Sequence, residues 1–256
     1  MPYYQGEYLI QSKKNLAKNV YDLTVACPEM ASAAEPGQFV HIRVEGKSLR
    51  RPISICGIDR EAGCLRLVFE VRGEGTARMA DWRAGDRIDL IGPLGKGFTL
   101  LDPSKKAIVV GGGIGTPPML ALARHYGRNA AAIIGFRSAG AVILKEDFEA
   151  AGAQTIVCTD DGTMGRHGFV TAALEELIAA GEADIVYACG PHPMLRGVAS
   201  LADSRGVRCE VSLEERMGCG VGACLVCACK TVKDSKEYFA HVCKDGPVFD
   251  AKEVIL

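Results

Sequence analysis

Along residues 1–101 apolar and polar positions alternate in short runs: Phe39-Val40-His41-Ile42-Arg43-Val44, Cys64-Leu65-Arg66-Leu67-Val68-Phe69-Glu70-Val71 and Arg87-Ile88-Asp89-Leu90-Ile91. A period of two sends successive side chains to opposite faces of a strand, and the Gly, Pro and Asp residues between the runs mark turns. The pattern predicts a small antiparallel β-barrel with one short helix near Thr76 to Asp81. The rhythm changes after Leu101-Asp102-Pro103-Ser104-Lys105-Lys106. Apolar strands at Ala107–Val110, Ala131–Phe136, Thr155–Thr159, Ile185–Cys189 and Val207–Leu213 now alternate with helical stretches at Thr116–Tyr126, Lys145–Ala151, Val170–Ala180 and Pro193–Ser204. Strands and helices in alternation build a parallel sheet. The expected fold class is α+β multidomain: an N-terminal antiparallel β-barrel over residues 1–101, an α/β parallel-sheet nucleotide-binding domain over 102–212, and a small C-terminal domain with a Lys-rich hairpin over 213–256.

The chain has 256 residues and a formal net charge of −1, so no bulk electrostatic attraction to nucleic acid or a membrane surface is expected. The segment Met1 to Ile10 has neither a basic start nor a long apolar run, and no stretch reaches the roughly 20 apolar residues that cross a bilayer. Eleven cysteines without a secretory signal point to a reducing, cytoplasmic setting.

The cysteines also carry the strongest chemistry. Cys219, Cys224 and Cys227 read C-x4-C-x2-C, and Cys243 follows after fifteen residues. This is the plant-type spacing of a [2Fe–2S] cluster, whose two irons need four converging thiolates. Gly218, Gly220, Gly222 and Ala223 keep the loop small enough for backbone N–H groups to reach the sulfurs. The alternative is zinc, for which Cys224-x2-Cys227 is half a site; Cys243 has no C-x2-C mate, and Cys229 does not supply one. Cys229 is left without a role, and Cys27, Cys56, Cys64, Cys158 and Cys209 lie in strand-like stretches as core residues.

Glycine-rich turns supply the other candidates. Gly111-Gly112-Gly113-Ile114-Gly115-Thr116-Pro117-Pro118 follows the first parallel strand and opens a helix, where free N–H groups can meet a pyrophosphate. Thr116 stands where the strict dinucleotide pattern has its third glycine, so a plain strand-to-helix turn remains an alternative. Cys189-Gly190-Pro191 ends another strand at the ligand-binding rim, where Cys189 either touches a nicotinamide or fills space. Thr159-Asp160-Asp161-Gly162 lies at the same rim as a nucleotide contact or a turn. In the barrel, Arg50-Arg51-Pro52-Ile53-Ser54 combines cations, a hydroxyl and a strand proline that suggests an edge position. Arg51 can pair with phosphate, Ser54 can bond a flavin edge, and Gly73-Glu74-Gly75-Thr76 is a second candidate cradle. Each barrel motif, taken alone, is also an ordinary surface feature.

In this order, R-P-x-S, G-x-G-T, G-G-G-x-G-x-x-P, C-G-P and the four cysteines resemble the ferredoxin reductase superfamily over nearly the whole chain. Glu214-Glu215-Arg216-Met217-Gly218-Cys219 and Cys243-Lys244-Asp245-Gly246-Pro247-Val248-Phe249 are similar to the electron transfer subunits of NAD-dependent (class B) dihydroorotate dehydrogenases. The resemblance implies FAD on Arg51, Pro52, Ile53, Ser54, Val68, Phe69, Glu70, Gly75 and Thr76. It implies NAD on Gly111, Gly112, Gly113, Gly115, Thr116, Pro117, Cys189, Gly190 and Pro191, and the cluster on Cys219, Cys224, Cys227 and Cys243. Phe98 is the candidate for a flavin-stacking aromatic, and Arg137-Ser138 lies where NADP would place its extra phosphate. The implied partner is an FMN-containing dihydroorotate dehydrogenase catalytic subunit in a heterotetramer, with no nucleic acid and no membrane. No acid or base of this chain is required, so no catalytic residue is named. The alternative is an NAD(P)H-dependent flavin and iron–sulfur reductase subunit serving ferredoxin or another redox partner.

Overall fold

The computed structural model describes residues 3–256. The N-terminal half is a closed six-stranded barrel built from β1 (Tyr4–Ala17), β2 (Val20–Ala26), β3 (Phe39–Ile42), β4 (Arg51–Asp59), β5 (Cys64–Glu70) and β6 (Arg87–Leu94). All pairings are antiparallel, in the order β1-β2-β5-β4-β3-β6 with β6 closing on β1. Ile10, Leu23, Val25, Val40, Ile42, Ile55, Leu65, Leu67, Phe69 and Leu90 fill its interior. Two short helices accompany it. Helix α2 (Glu74–Met79) starts two residues before the expected position because the Thr76 hydroxyl accepts from the N–H groups of Arg72 and Gly73 and closes the turn there. Helix α1 (Pro28–Ala33) was not expected; Pro28 has the backbone angle a first helical turn needs, and Met30 and Ala31 are buried beneath it.

The second half is a sheet of β7 (Ala107–Gly112), β8 (Ala130–Phe136), β9 (Gln154–Thr159), β10 (Arg166–His167), β11 (Ile185–Cys189), β12 (Arg208–Ser212) and the distant β15 (Val248–Asp250). Their order is β10-β9-β8-β7-β11-β12-β15, parallel except for β15. Side chains alternate along β7. Val109 packs with Leu120, Ala123 and Tyr126 of α3 (Met119–Tyr126) and Phe148 of α4 (Lys145–Ala150). Ile108 and Val110 pack on the other face with Leu174 of α5 (Val170–Ala179) and Leu195 and Val198 of α6 (His192–Ser204). Helix α3 begins at Met119 rather than Thr116, since Pro117 and Pro118 offer no N–H to a helical ladder. A hairpin of β13 (Ala228–Lys233) and β14 (Lys236–His241) stands apart as its own two-stranded sheet.

Barrel and sheet share a packed boundary. Arg66 of β5 bonds Asp22 and reaches across to Asp147 of α4. Phe98 lies edge-on to Tyr187 at 5.3 Å, and the Tyr187 hydroxyl donates to the Thr99 carbonyl at 2.6 Å. Phe98 is therefore part of this boundary, only 5% exposed, and not a free face for a flavin. The proposed division at residue 213 also needs correction at its far end. After the hairpin the chain returns: Lys96 N–H donates to the Gly246 carbonyl of the C-terminal segment at 2.6 Å, and β15 pairs antiparallel with β12. Residues 248–250 thus belong to the sheet.

Gly95 sits at the crossing, with φ of +76°, where an added Cβ would lie 2.5 Å from Pro247 Cδ. Gly95→Ala is expected to destabilise the chain by about 2 kcal/mol, combining left-handed strain with the clash. Urea denaturation would check this; an unchanged midpoint would contradict the packing.

Candidate functional site

The barrel has a slot where two of its strands part. The β4–β5 ladder runs from Asp59↔Cys64 to Ile55↔Leu67 and stops. Continuing the register would pair Ser54 with Val68, Ile53 with Phe69 and Pro52 with Glu70, but none of these pairs forms. On their outer sides both segments keep partners: Arg51 to Ser54 pair with β3, and Val68 to Glu70 pair with β2. The closed barrel therefore has a local edge, and Pro52, which has no N–H to give a ladder, stands on it. The edge expected from Pro52 is present, though β4 is an inner strand.

The side chains around the slot divide by face. Val68 points toward the sheet domain and joins the boundary cluster with Met119 and Ile114. Phe69 is the exception among the expected contacts: its ring is buried in the barrel interior against Tyr21, with centroids 5.7 Å apart, so only its backbone can face the slot. Glu70 pairs with Arg72 at 2.9 Å. Of the two neighbouring cations, Arg50 is engaged by Asp89 in a forked contact at 2.9 and 3.0 Å. Arg51 touches only the Leu49 and Arg50 carbonyls and has no carboxylate partner among the described residues. Its guanidinium lies against Gly75, where a Cβ would collide with it. A cation without a counter-charge, an open backbone edge and a small-residue helix start fit the phosphate and ring of a flavin nucleotide.

The nucleotide loop lies beside this slot. The sheet reverses direction of growth between β7 and β11, the position where parallel sheets bind ligands beyond their strand ends. Gly111 and Cys189 are opposite one another in register there. Gly113–Gly115 form one tight turn that packs on β5, so the two candidate cofactor regions adjoin. Any Cβ on Gly115 would strike the Cys189 carbonyl, and one on Gly112 would meet Met194 Sδ at 2.5 Å and Pro191 Cδ at 3.0 Å. Gly115 lies against backbone and Gly112 against the Met194 and Pro191 side chains, and neither place has room for a Cβ. Thr116, at the end of this turn, is fully buried, yet its Oγ1 has no hydrogen-bond partner among the described residues, a polar group that a ligand or water would satisfy. Burial pushes the Cys189 thiol up to about 12, so it stays protonated and uncharged near neutral pH. Thr159-Asp160-Asp161-Gly162 closes on itself: the Thr159 hydroxyl bonds Met164, and Asp161 bonds Thr163. It is a turn.

The four cysteines fall into two couples. Cys219 N–H points at Cys224 Sγ (3.3 Å), and Cys243 N–H points at Cys227 Sγ (3.4 Å). Cys227 and Cys243 are buried and Cys224 is exposed. Further N–H groups aim at sulfur: Val221, Ala223 and Cys224 at Cys219 Sγ (3.2–3.4 Å), and Gly222 at Cys243 Sγ (3.1 Å). Burial alone would raise the Cys219 thiol, but these N–H bonds outweigh it and bring it down to about 6. Gly220 and Gly222 have φ of +76° and +80°, the left-handed turns that let successive N–H groups face inward. Among the described residues no three potential ligands gather around one point as for a single ion. Two thiolate couples with N–H donors suit a two-iron cluster better than one zinc.

One residue between these sites gave no sequence signal. His41 of β3 is fully buried, opposite Pro52 in register, with Nδ1 3.3 Å from the Cys219 carbonyl oxygen. Burial pushes its imidazole below the ordinary value, so it is uncharged near neutral pH. Its Nε2 and Thr116 Oγ1 are the buried side-chain atoms without partners among the described residues.

Comparison with known proteins agrees with this arrangement. A family model described as the iron-sulfur cluster binding domain of dihydroorotate dehydrogenase B matches residues 214–255. The chain is 43% identical over 255 residues to the dihydroorotate dehydrogenase B (NAD(+)) electron transfer subunit of Bacillus caldolyticus, covering 96% of this chain and 97% of that one. It is 40% identical over 248 residues to the protein of the same name from Caldanaerobacter subterraneus, covering 96% of each. Among solved structures it is similar to a chain of an NADH-dependent reduced ferredoxin-NADP oxidoreductase, with a TM-score of 0.86 and 30% identity over 97% of this chain and 89% of that one. A ferredoxin reductase of carbazole 1,9a-dioxygenase shares the fold at 21% identity, with a TM-score of 0.68 over 81% and 67%. By identity along nearly its whole length, the chain belongs to the family of electron transfer subunits of NAD-dependent dihydroorotate dehydrogenase B.

Proposed function

We propose that this chain carries electrons between an FMN-containing dihydroorotate dehydrogenase catalytic subunit and NAD⁺, using a [2Fe–2S] cluster and FAD. The observation that carries the reading is the adjacency of three fitted places: the parted β4–β5 slot, the Gly113–Gly115 turn packed on β5, and the cysteine loop laid against β3. Dihydroorotate gives up an electron pair with its protons to become orotate, and NAD⁺ takes that pair with one proton as hydride. When bound, the cluster exchanges single electrons and the flavin one or two, so together they can join single-electron arrivals to hydride delivery.

The chain's residues hold and orient. Arg51 and Gly75 receive the flavin nucleotide's phosphates, the open backbone of Arg51 to Ser54 and of Val68 to Glu70 takes the ring, and Thr76 fixes the turn that presents Gly75. Gly111, Gly112, Gly113 and Gly115 give the nicotinamide nucleotide a backbone floor, Thr116 and Pro117 lead from that floor into α3, and Cys189, Gly190 and Pro191 form the facing wall. Cys219, Cys224, Cys227 and Cys243 would hold the two irons of the cluster. Division of labour follows the regions 1–101, 102–212 and 213–256, with the last strand returned to the sheet. Eleven free cysteines favour the reducing cytoplasm, and no helix among the described residues is long and apolar enough to cross a membrane. A heterotetramer with two copies of each subunit is the proposed assembly. The likeness to the ferredoxin-linked oxidoreductase chain supports a second reading, in which the same cofactors serve ferredoxin; activity with each partner separates them.

Arg51→Ala should lower FAD content in the purified protein while the cluster absorbance persists, because the cation without a counter-charge is lost; full FAD retention would contradict its role. Gly115→Ala should raise KM for NADH roughly tenfold or more through the clash with Cys189, leaving FAD bound. Cys219→Ser should reduce dihydroorotate-driven NAD⁺ reduction by roughly a hundredfold or more while NADH-dependent dye reduction at FAD continues. Wild-type dihydroorotate-driven rates without a cluster would overturn the proposed route.

A further inference from the structure

We infer that His41 is a positioning residue for the cluster: its Nδ1–H, donated to the Cys219 carbonyl, holds the first cysteine of the motif against the barrel beside the flavin slot. The inference deepens the function proposed above and rests on it.

Three observations meet at this side chain. First, the contact joins residues 178 positions apart, from the strand that borders Arg51 to Ser54 to the loop that carries Cys219. Second, the loop is shaped around the imidazole. Gly220 has φ of +76°, and a Cβ there would lie 2.5 Å from His41 Nδ1. Third, the strand end is braced from outside. Arg50 donates to the His41 carbonyl at 3.3 Å while its fork is engaged by Asp89. Among the described residues, the other polar side-chain link between the barrel and residues 214–227 is the exposed Arg72–Glu214 pair at 3.9 Å. The Cys243 arm is held separately, through Gly246 and Lys96. His41 is thus the buried anchor for the Cys219 arm.

An Nδ1–H donated to the Cys219 peptide carbonyl does two things. It fixes where that ligand stands relative to the flavin slot. Donation to the Cys219 carbonyl also polarises that peptide, which lies next to a site that gains negative charge on reduction, and so favours the reduced state. Loss of the donor should therefore shift the cluster to more negative potential, an effect that a space-filling role would not produce.

The test uses the full chain with its cofactors, as wild type, His41→Phe and His41→Asn. Phe keeps bulk without a donor, and Asn places an amide N–H near the Nδ1 position. Iron, sulfide and FAD are assayed, and the cluster is followed by EPR during an anaerobic reductive titration. The expected result is unchanged FAD, a more negative cluster potential with altered EPR in His41→Phe, and recovery toward wild type in His41→Asn. A His41→Phe protein with wild-type potential and spectrum would overturn the inference. If His41→Phe holds no cluster, the Asn variant decides: a cluster with near wild-type potential supports the donor role, and its absence there too overturns it. A wild-type chain without iron and sulfide would instead overturn the proposed function itself.

Discussion

The stretch from Cys243 to Asp250 is the constraint on which the rest of the arrangement depends. Cys243 faces the cysteine loop, Gly246 accepts from Lys96 at the end of the barrel, Pro247 crosses Gly95, and Val248 to Asp250 complete the sheet beside β12. A few consecutive residues therefore fix the barrel, the sheet and the cysteine loop relative to one another. Leu213 N–H donates to the Pro247 carbonyl at 2.9 Å, so the chain is pinned where it leaves the sheet for the loop and again where it returns. Phe249, Leu213, Val242 and Cys243 are buried in one cluster with Phe39 and Leu94 of the barrel, giving this junction an apolar core as well as its hydrogen bonds.

Electron carriers need short, fixed separations, and the candidate sites of this fold are shaped largely by backbone. The proposed flavin slot is a place where two strands decline to pair. The proposed nucleotide floor is glycine backbone against the Cys189 carbonyl. The cysteine loop turns its own N–H groups onto sulfur. In each case main-chain groups left open by local geometry and held by packed neighbours shape the site, to which the Arg51 cation and the four thiols add their side chains. The uncharged Cys189 thiol and uncharged His41 fit the same plan, since a fixed charge beside a flavin or cluster would alter its potential.

Much of this is legible in the amino-acid order because the signals are local. The cysteine spacing, the Gly111–Gly115 loop and the alternation of strand and helix each lie within a few turns of chain, and the five expected strands of the second half all form, though β7 runs on to Gly112 and α3 starts only at Met119. Features that depend on distant segments were not legible. Phe69 sits in a motif that the resemblance gives to FAD, yet its ring faces the barrel interior, because which face a strand residue takes depends on register with β2. Phe98 is a conspicuous aromatic after the barrel, but Tyr187 from another domain claims it. Val248 to Asp250 are too short to announce a strand, and only β12 makes them one. His41 reads as an ordinary member of an alternating strand until Cys219 is folded against it.

The most direct test of the central claim is a count of electrons. The purified chain would be titrated with dithionite without oxygen, following flavin absorbance and cluster EPR together. The account predicts uptake of about three electron equivalents per chain, one at the cluster and the remainder at the flavin. Uptake of about two, with no EPR signal from a reduced cluster, would mean that the four cysteines hold no redox centre and would contradict the account.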